Sequence, residues 1–209
     1  MELIIVRHAQ TDANKNGIVQ GHSESHLTPL GKKQAKKIAE RLKEHHIDYA
    51  YSSDLTRAIE TAEEILKYHH IPLEKTKELR EKHAGIFEGK SNKPRLLSKE
   101  QIFNRFHGIK PFGGESFLGA QKRIINFYNK LVEKHKGKTV LIVAHGAVLG
   151  ALLLHLLDKP ITWEEYDKHR PQNAAITIVK IEDTKKHTVH LLNCTKHLHG
   201  IESHNLAEE

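Results

Sequence analysis

Short uninterrupted apolar runs alternate along the chain with longer segments whose apolar residues recur every three or four positions, the pattern of buried strands alternating with amphipathic helices. Residues 3–6, 49–52, 73–76, 139–144, 176–181 and 188–193 read as strands, the last two joined by a turn over 182–186. Thr28-Pro29 opens a helix as N-cap and first helical residue, and Leu30, Ala35, Ile38, Ala39 and Leu42 form its apolar stripe. A second helix follows Ser53-Asp54, which offer capping groups, with Leu55, Ala58, Ile59, Ala62, Ile65 and Leu66 on its buried side. A third spans 117–136, with Ile124, Ile125, Tyr128, Leu131 and Val132 at helical spacing. Residues 11–26 are polar and contain Gly17 and Gly21, so an irregular loop is expected there, lying over the carboxyl end of the sheet. This order of elements predicts an α/β protein.

Residues 139–157 carry no formal charge and have the length of a membrane span. His145-Gly146 divides them into a β-rich half and a Leu/Ala-rich half that His155 interrupts, so a buried strand, a tight turn and a buried helix account for them and no membrane association is expected. The 209 residues suffice for one domain with a substantial core. Lysine and arginine number 33 against 26 acidic residues, a net charge of +7 that favours anionic partners. Nucleic acid is not the expected partner, because lysines such as Lys32, Lys33, Lys36 and Lys37 read as the solvated face of a helix. The single cysteine, Cys194, excludes an intramolecular disulfide and a Cys-rich zinc site. The first residues lack the features of a signal peptide, so a cytoplasmic location is expected.

Two of the apolar runs end in chemistry. Leu3-Ile4-Ile5-Val6 delivers Arg7-His8, and residues 139–144 deliver His145-Gly146 ahead of a helix. In open α/β sheets ligands sit beyond the carboxyl ends of the strands. Arginine holds an oxyanion bidentately, histidine offers a ring nitrogen near neutral pH, and a helix starting near Gly146 would present free N–H groups, so a phosphate site is indicated. Adjacent parallel strands would bring His8 and His145 together. Arg57 falls in the first turn of the second helix, where a cation needs a compensating anion. Asp54 or Glu60 would supply one, and so would a bound phosphate. Asn14 and Gln20 are candidate neutral donors in the polar loop.

Arg7-His8-Ala9-Gln10-Thr11 resembles the signature of the histidine phosphatase superfamily, the phosphoglycerate mutase-like enzymes, with Ala9 in place of the usual glycine. The resemblance runs from about Leu3 to Asn193. Gln20-Gly21-His22-Ser23 resembles the segment in which a glutamine or asparagine contacts the phosphoryl group, and the stretch from Ser53 to Ala62 resembles the second phosphate-binding arginine motif. Leu79-Arg80-Glu81, with Gly85 and Glu88-Gly89 after it, resembles the segment carrying the acid, which places the acid at Glu81 and leaves Glu88 structural. Gly113-Gly114-Glu115-Ser116 is similar to a further motif, in which Ser116 lines the phosphate pocket or caps the following helix.

The resemblance implies a three-layer α/β/α sandwich with a mostly parallel central sheet, one domain over residues 1–195 with a small basic cap at about 90–112, and a histidine-containing tail over 196–209. The tail, with His197, His199 and His204, is expected to be solvated or disordered. The implied activity is hydrolysis of small phosphorylated metabolites without metal or cofactor. His8 is the implied nucleophile, Glu81 the acid, and Arg7, Asn14, Gln20, Arg57, Ser116, His145 and Gly146 the phosphate ligands. Two other readings stay open: a cofactor-dependent phosphoglycerate mutase, and a non-catalytic anion- or metal-binding regulator with the same fold.

Overall fold

The structure is a computed structural model, and it describes residues 1–91, 113–184 and 186–201. Nearly all of the expected cap, with Lys93, Arg95, Phe103 and Phe106, and the tail histidine His204 lie outside the described residues. Six strands form one sheet: β1 Glu2–Arg7, β2 Tyr49–Ser53, β3 Leu73–Thr76, β4 Thr139–Ala144, β5 Ile176–Ile181 and β6 His187–Cys194. Their order is β3-β2-β4-β1-β5-β6. The pairs β3–β2, β2–β4 and β4–β1 are parallel, whereas β5 runs antiparallel to both β1 and β6. Among the described residues the helices are α1 Asp12–Lys15, α2 Pro29–Leu42, α3 Thr56–Leu66, α4 Phe117–Lys134, α5 Gly146–Leu156 and α6 Trp163–His169.

Side chains alternate across the strands, so each apolar run feeds two cores, the requirement for a sheet covered on both faces. Leu3, Ile5, Val140 and Ile142 pack with Ile124, Tyr128 and Leu131 of α4 and Leu149 and Leu152 of α5. Ile4, Val6, Leu141 and Val143 pack with Ala35, Ile38 and Leu42 of α2 and Ala58, Ala62 and Ile65 of α3. The three-layer α/β/α sandwich with a mostly parallel sheet is thus the observed fold. The stretch that mimics a membrane span divides as expected into β4, His145 and the buried helix α5, and no helix among the described residues is long and apolar enough to cross a membrane.

Three local readings are corrected. The loop after β1 is not wholly irregular, because Thr11 and Asn14 form a reciprocal capping box that nucleates α1. Asp54 does not cap α3. Its carboxylate makes a bidentate pair with Arg80 at 2.7 Å, a better partner than a lone N–H, and Glu24 accepts the Thr56 N–H instead. The start of the tail is ordered, since Lys196–Leu198 form a 3₁₀ turn and Leu198 is buried beside α2, contributing apolar area that a solvated tail would forgo.

Candidate active site

The parallel pairing of β1 with β4 sets Arg7 opposite Ala144, and the His8 N–H donates to the Ala144 carbonyl at 2.9 Å. The next residue of each strand is therefore a histidine at the same height. The rings of His8 and His145 lie with centroids 5.1 Å apart. Both are almost wholly buried. Ala9 in place of glycine carries no backbone cost, because its φ is not positive, and its N–H donates to Thr61 Oγ1.

Hydrogen bonds fix which nitrogen of each ring carries the proton. His8 Nδ1 lies 2.8 Å from the Ala9 carbonyl, which only accepts, so Nδ1 holds the proton and Nε2 keeps its lone pair. At His145 the roles invert. Arg57 Nε donates to His145 Nδ1 at 3.1 Å, so the proton resides on Nε2, which is buried and has no hydrogen-bond partner among the described residues. The pair thus presents one lone pair and one N–H. Burial, and then the charges of Arg57 and Arg7, hold His8 well below the ordinary value of 6.5, and burial with Arg57 does the same to His145. Both rings are neutral at physiological pH.

Arg57 is fully buried. It does not pair with Asp54 or Glu60. Asp54 is taken by Arg80, and Glu60 accepts from His26 and the Leu27 N–H. Its guanidinium donates to the carbonyls of Gly21 at 2.8 Å and Ser23 at 2.9 Å as well as to His145. Burial lowers its pKa from 12.5 to about 10, which leaves it cationic. Arg7 Nη1 donates to the Pro171 carbonyl at 2.7 Å. Its guanidinium lies against Gly146, where an added Cβ would sit 3.2 Å from Arg7 Cζ. Two permanent charges therefore flank two neutral imidazoles.

The start of α5 is arranged differently from the expectation of N–H groups free for phosphate. Glu81 occupies two of them: Oε2 accepts from Ala147 N at 3.0 Å, and Oε1 accepts from Val148 N at 3.1 Å and from Lys82 N at 2.8 Å. A carboxylate is the natural occupant of a helix N-terminus. This contact brings Glu81 beside the helix that follows His145. Glu88 ties the loop of His22 and Ser23 to the Ala84 backbone. Its carboxylate accepts from the N–H groups of His22 and Ala84 and from Ser23 Oγ, which outweighs burial and lowers its pKa.

Asn14 Oδ1 accepts from Thr11 and from Asn173 Nδ2, and Gln20 Oε1 accepts from Thr11 Oγ1 and Ser25 Oγ. The amide nitrogen of each is the group left to donate. Ser116 caps α4 by accepting from Gly119 N at 3.0 Å, and it lines a cavity of about 510 Å³ with His22, Arg80, His83 and Arg123. Capping accounts for it. Sequence reasoning missed Asn173, which is buried and donates to the His8 carbonyl at 3.0 Å. Its loop precedes β5, and only the antiparallel pairing of β5 with β1 carries that loop to the His8 end of the sheet.

The profile of the histidine phosphatase superfamily (branch 1) matches residues 3–195. The chain belongs to this superfamily. A metal-independent phosphoserine phosphatase of Arabidopsis thaliana is 35% identical over 191 residues, covering 88% of this chain and 78% of that protein. A 2,3-bisphosphoglycerate-dependent phosphoglycerate mutase of Cytophaga hutchinsonii is 36% identical over 163 residues, covering 74% of this chain and 76% of the other. Among solved structures, a phosphoserine phosphatase from Entamoeba histolytica in complex with 3-phosphoglyceric acid superposes with a TM-score of 0.81 at 28% identity, covering 94% of this chain and 98% of that one.

Proposed function

We propose that the protein is a phosphoric monoester hydrolase that takes the phosphoryl group of small metabolites onto His8 Nε2. The single observation that carries this reading is the inverted pair of tautomers, a bare Nε2 on His8 and an Nε2–H on His145 without a partner among the described residues, in rings whose centroids lie 5.1 Å apart. In the first step the His8 Nε2 lone pair forms a bond to phosphorus while the bond from phosphorus to the ester oxygen breaks, and Glu81 in its acid form passes its proton to the departing alkoxide. Water then attacks phosphorus, the N–P bond breaks, and the proton of the water returns to Glu81. Arg7, Arg57 and the His145 N–H neutralise the equatorial oxygens, with Asn14 and Gln20 donating from the loop. These donors supply the charge compensation that a Lewis acid would otherwise give.

The relatives' names support hydrolysis, and the molecules bound in the neighbouring structures, phosphoserine and 3-phosphoglyceric acid, favour a monoester that also carries a carboxylate. A cytoplasmic location and a partner that is neither nucleic acid nor membrane belong to the same proposal. The mutase named among the relatives keeps the second reading in play, with the phosphoryl group passing to another hydroxyl instead of to water. Rapid quench with labelled p-nitrophenyl phosphate should trap an acid-labile phosphoprotein that His8→Ala does not form, and activity should survive prolonged EDTA treatment. With 3-phosphoglycerate, with and without 2,3-bisphosphoglycerate, inorganic phosphate should appear faster than 2-phosphoglycerate. Faster isomerisation would favour the mutase, and equal trapping in His8→Ala would remove the nucleophile.

A further inference from the structure

The corner behind His8 is held from the far end of the chain. Ala174 has φ +63°, in the left-handed region that residues with a Cβ seldom occupy. Such a conformation persists only where its surroundings over-determine it, and an observed outlier of this kind points toward function. Both polar groups of Ala174 are engaged. Its N–H donates to the carbonyls of Arg7 at 3.2 Å and His8 at 3.3 Å. Its carbonyl lies 3.0 Å from His197 Nε2. The flanking residues hold the same backbone, since Asn173 Nδ2 donates to the His8 carbonyl and the Ala175 carbonyl accepts from Arg7 N.

His197 stands in the turn Lys196–Leu198, anchored by Leu198, which is 3% exposed in the apolar cluster that also contains Ala9 and Ala174. A carbonyl only accepts, so His197 Nε2 carries the proton, and Nδ1 is buried with no hydrogen-bond partner among the described residues. Among those residues the ring's hydrogen bond goes to the strained corner. We propose that His197 is a positioning residue for phosphoryl transfer: its Nε2–H fixes the Ala174 carbonyl and so holds the His8 main chain where His8 Nε2 can attack phosphorus in line. The proposal rests on the reading of His8 as the nucleophile. It gives the C-terminal turn a part in the reaction although the turn contributes no group that touches substrate.

The test uses the full chain with p-nitrophenyl phosphate, reading the single-turnover rate of phosphoenzyme formation, kcat, KM and the thermal unfolding midpoint. His197→Ala should slow phosphoenzyme formation roughly tenfold to a hundredfold, the scale on which a displacement of about 1 Å is felt, while KM stays near wild type. His197→Gln, whose amide N–H reaches the same carbonyl, should recover most of the rate. If His197→Ala does not fold, His197→Asn, one methylene shorter, replaces it, and the contrast with glutamine decides. A lowered unfolding midpoint with a wild-type rate per folded molecule would overturn the proposal, as would equal losses in the glutamine and shortened variants. Absence of a phosphoenzyme in the wild type would instead remove the nucleophile assignment, and this inference with it.

Discussion

Arg57→Lys separates the charge of Arg57 from its geometry. The guanidinium donates to Gly21 O, Ser23 O and His145 Nδ1, with a longer contact to Ser25 Oγ. An ammonium keeps the charge but is a point donor that cannot reach three acceptors set in a fork. At least one acceptor is then left unsatisfied, at about 1–3 kcal/mol, so the variant should lose on the order of 2–4 kcal/mol and still fold. The catalytic loss should be larger than that implies. Without the Arg57 Nε–H, nothing obliges His145 to keep its proton on Nε2, and the site loses a preorganised donor worth about 10²–10³ in kcat. Nitrogen-15 chemical shifts of the imidazole report the tautomer directly. Wild-type His145 should be neutral and protonated on Nε2 at pH 7, and Arg57→Lys should show a mixture, with kcat reduced to match. A wild-type His145 protonated on Nδ1, or a folded Arg57→Lys protein with kcat within a few-fold of wild type, would refute the reasoning.

His8 and His145 titrate well below 6.5 in the folded protein because of burial, so the unfolded chain binds more protons below that value, and stability should fall as the pH drops from 6.5. Each ring contributes up to about 1.4 kcal/mol per pH unit, and urea titrations showing equal or greater stability at about pH 5 than at about pH 7 would contradict the assignment. Glu81→Gln tests the proposed general acid, a role worth ~10²–10⁴: it should slow an alkyl phosphate far more than p-nitrophenyl phosphate, and equal losses on both would sink that role. Gly31→Ala puts a Cβ 2.0 Å from the Gln10 carbonyl oxygen, a backbone atom that cannot step aside. It should cost about 3 kcal/mol in denaturant unfolding, and wild-type stability would show that α2 is not seated as described.

What was legible in the sequence and what was not divides along a physical line. The strands ending in Arg7-His8 and in His145, and the caps Thr28 and Ser116, could be read because periodicity and capping are set by residues a few positions apart. The fold and the histidine pair follow from those local signals once β1 and β4 are neighbours. The second set of contacts depends on pairings that no local signal encodes. Asp54 reads as a cap until Arg80 is folded against it, and the N–H groups of α5 look free until Glu81 is placed on them. Leu198 is a lone apolar residue among histidines, with nothing to mark it as core, yet it joins the apolar cluster that contains Ala9, the residue after His8. Asn173, Ala174 and His197 reach His8 only through the antiparallel β5 and the turn after β6, across more than half the chain. Sequence locality thus exposes the groups that would touch a phosphate, because they stand at the ends of regular elements. The groups that brace the His8 backbone come from loops brought in by the sheet's last strands, whereas the proton positions are set by the Ala9 carbonyl and by Arg57 Nε. The orientation of β5 is therefore the fact that braces the His8 main chain, since reversing it would carry Asn173 and Ala174 to the opposite end of the sheet and leave the His8 carbonyl without its donors.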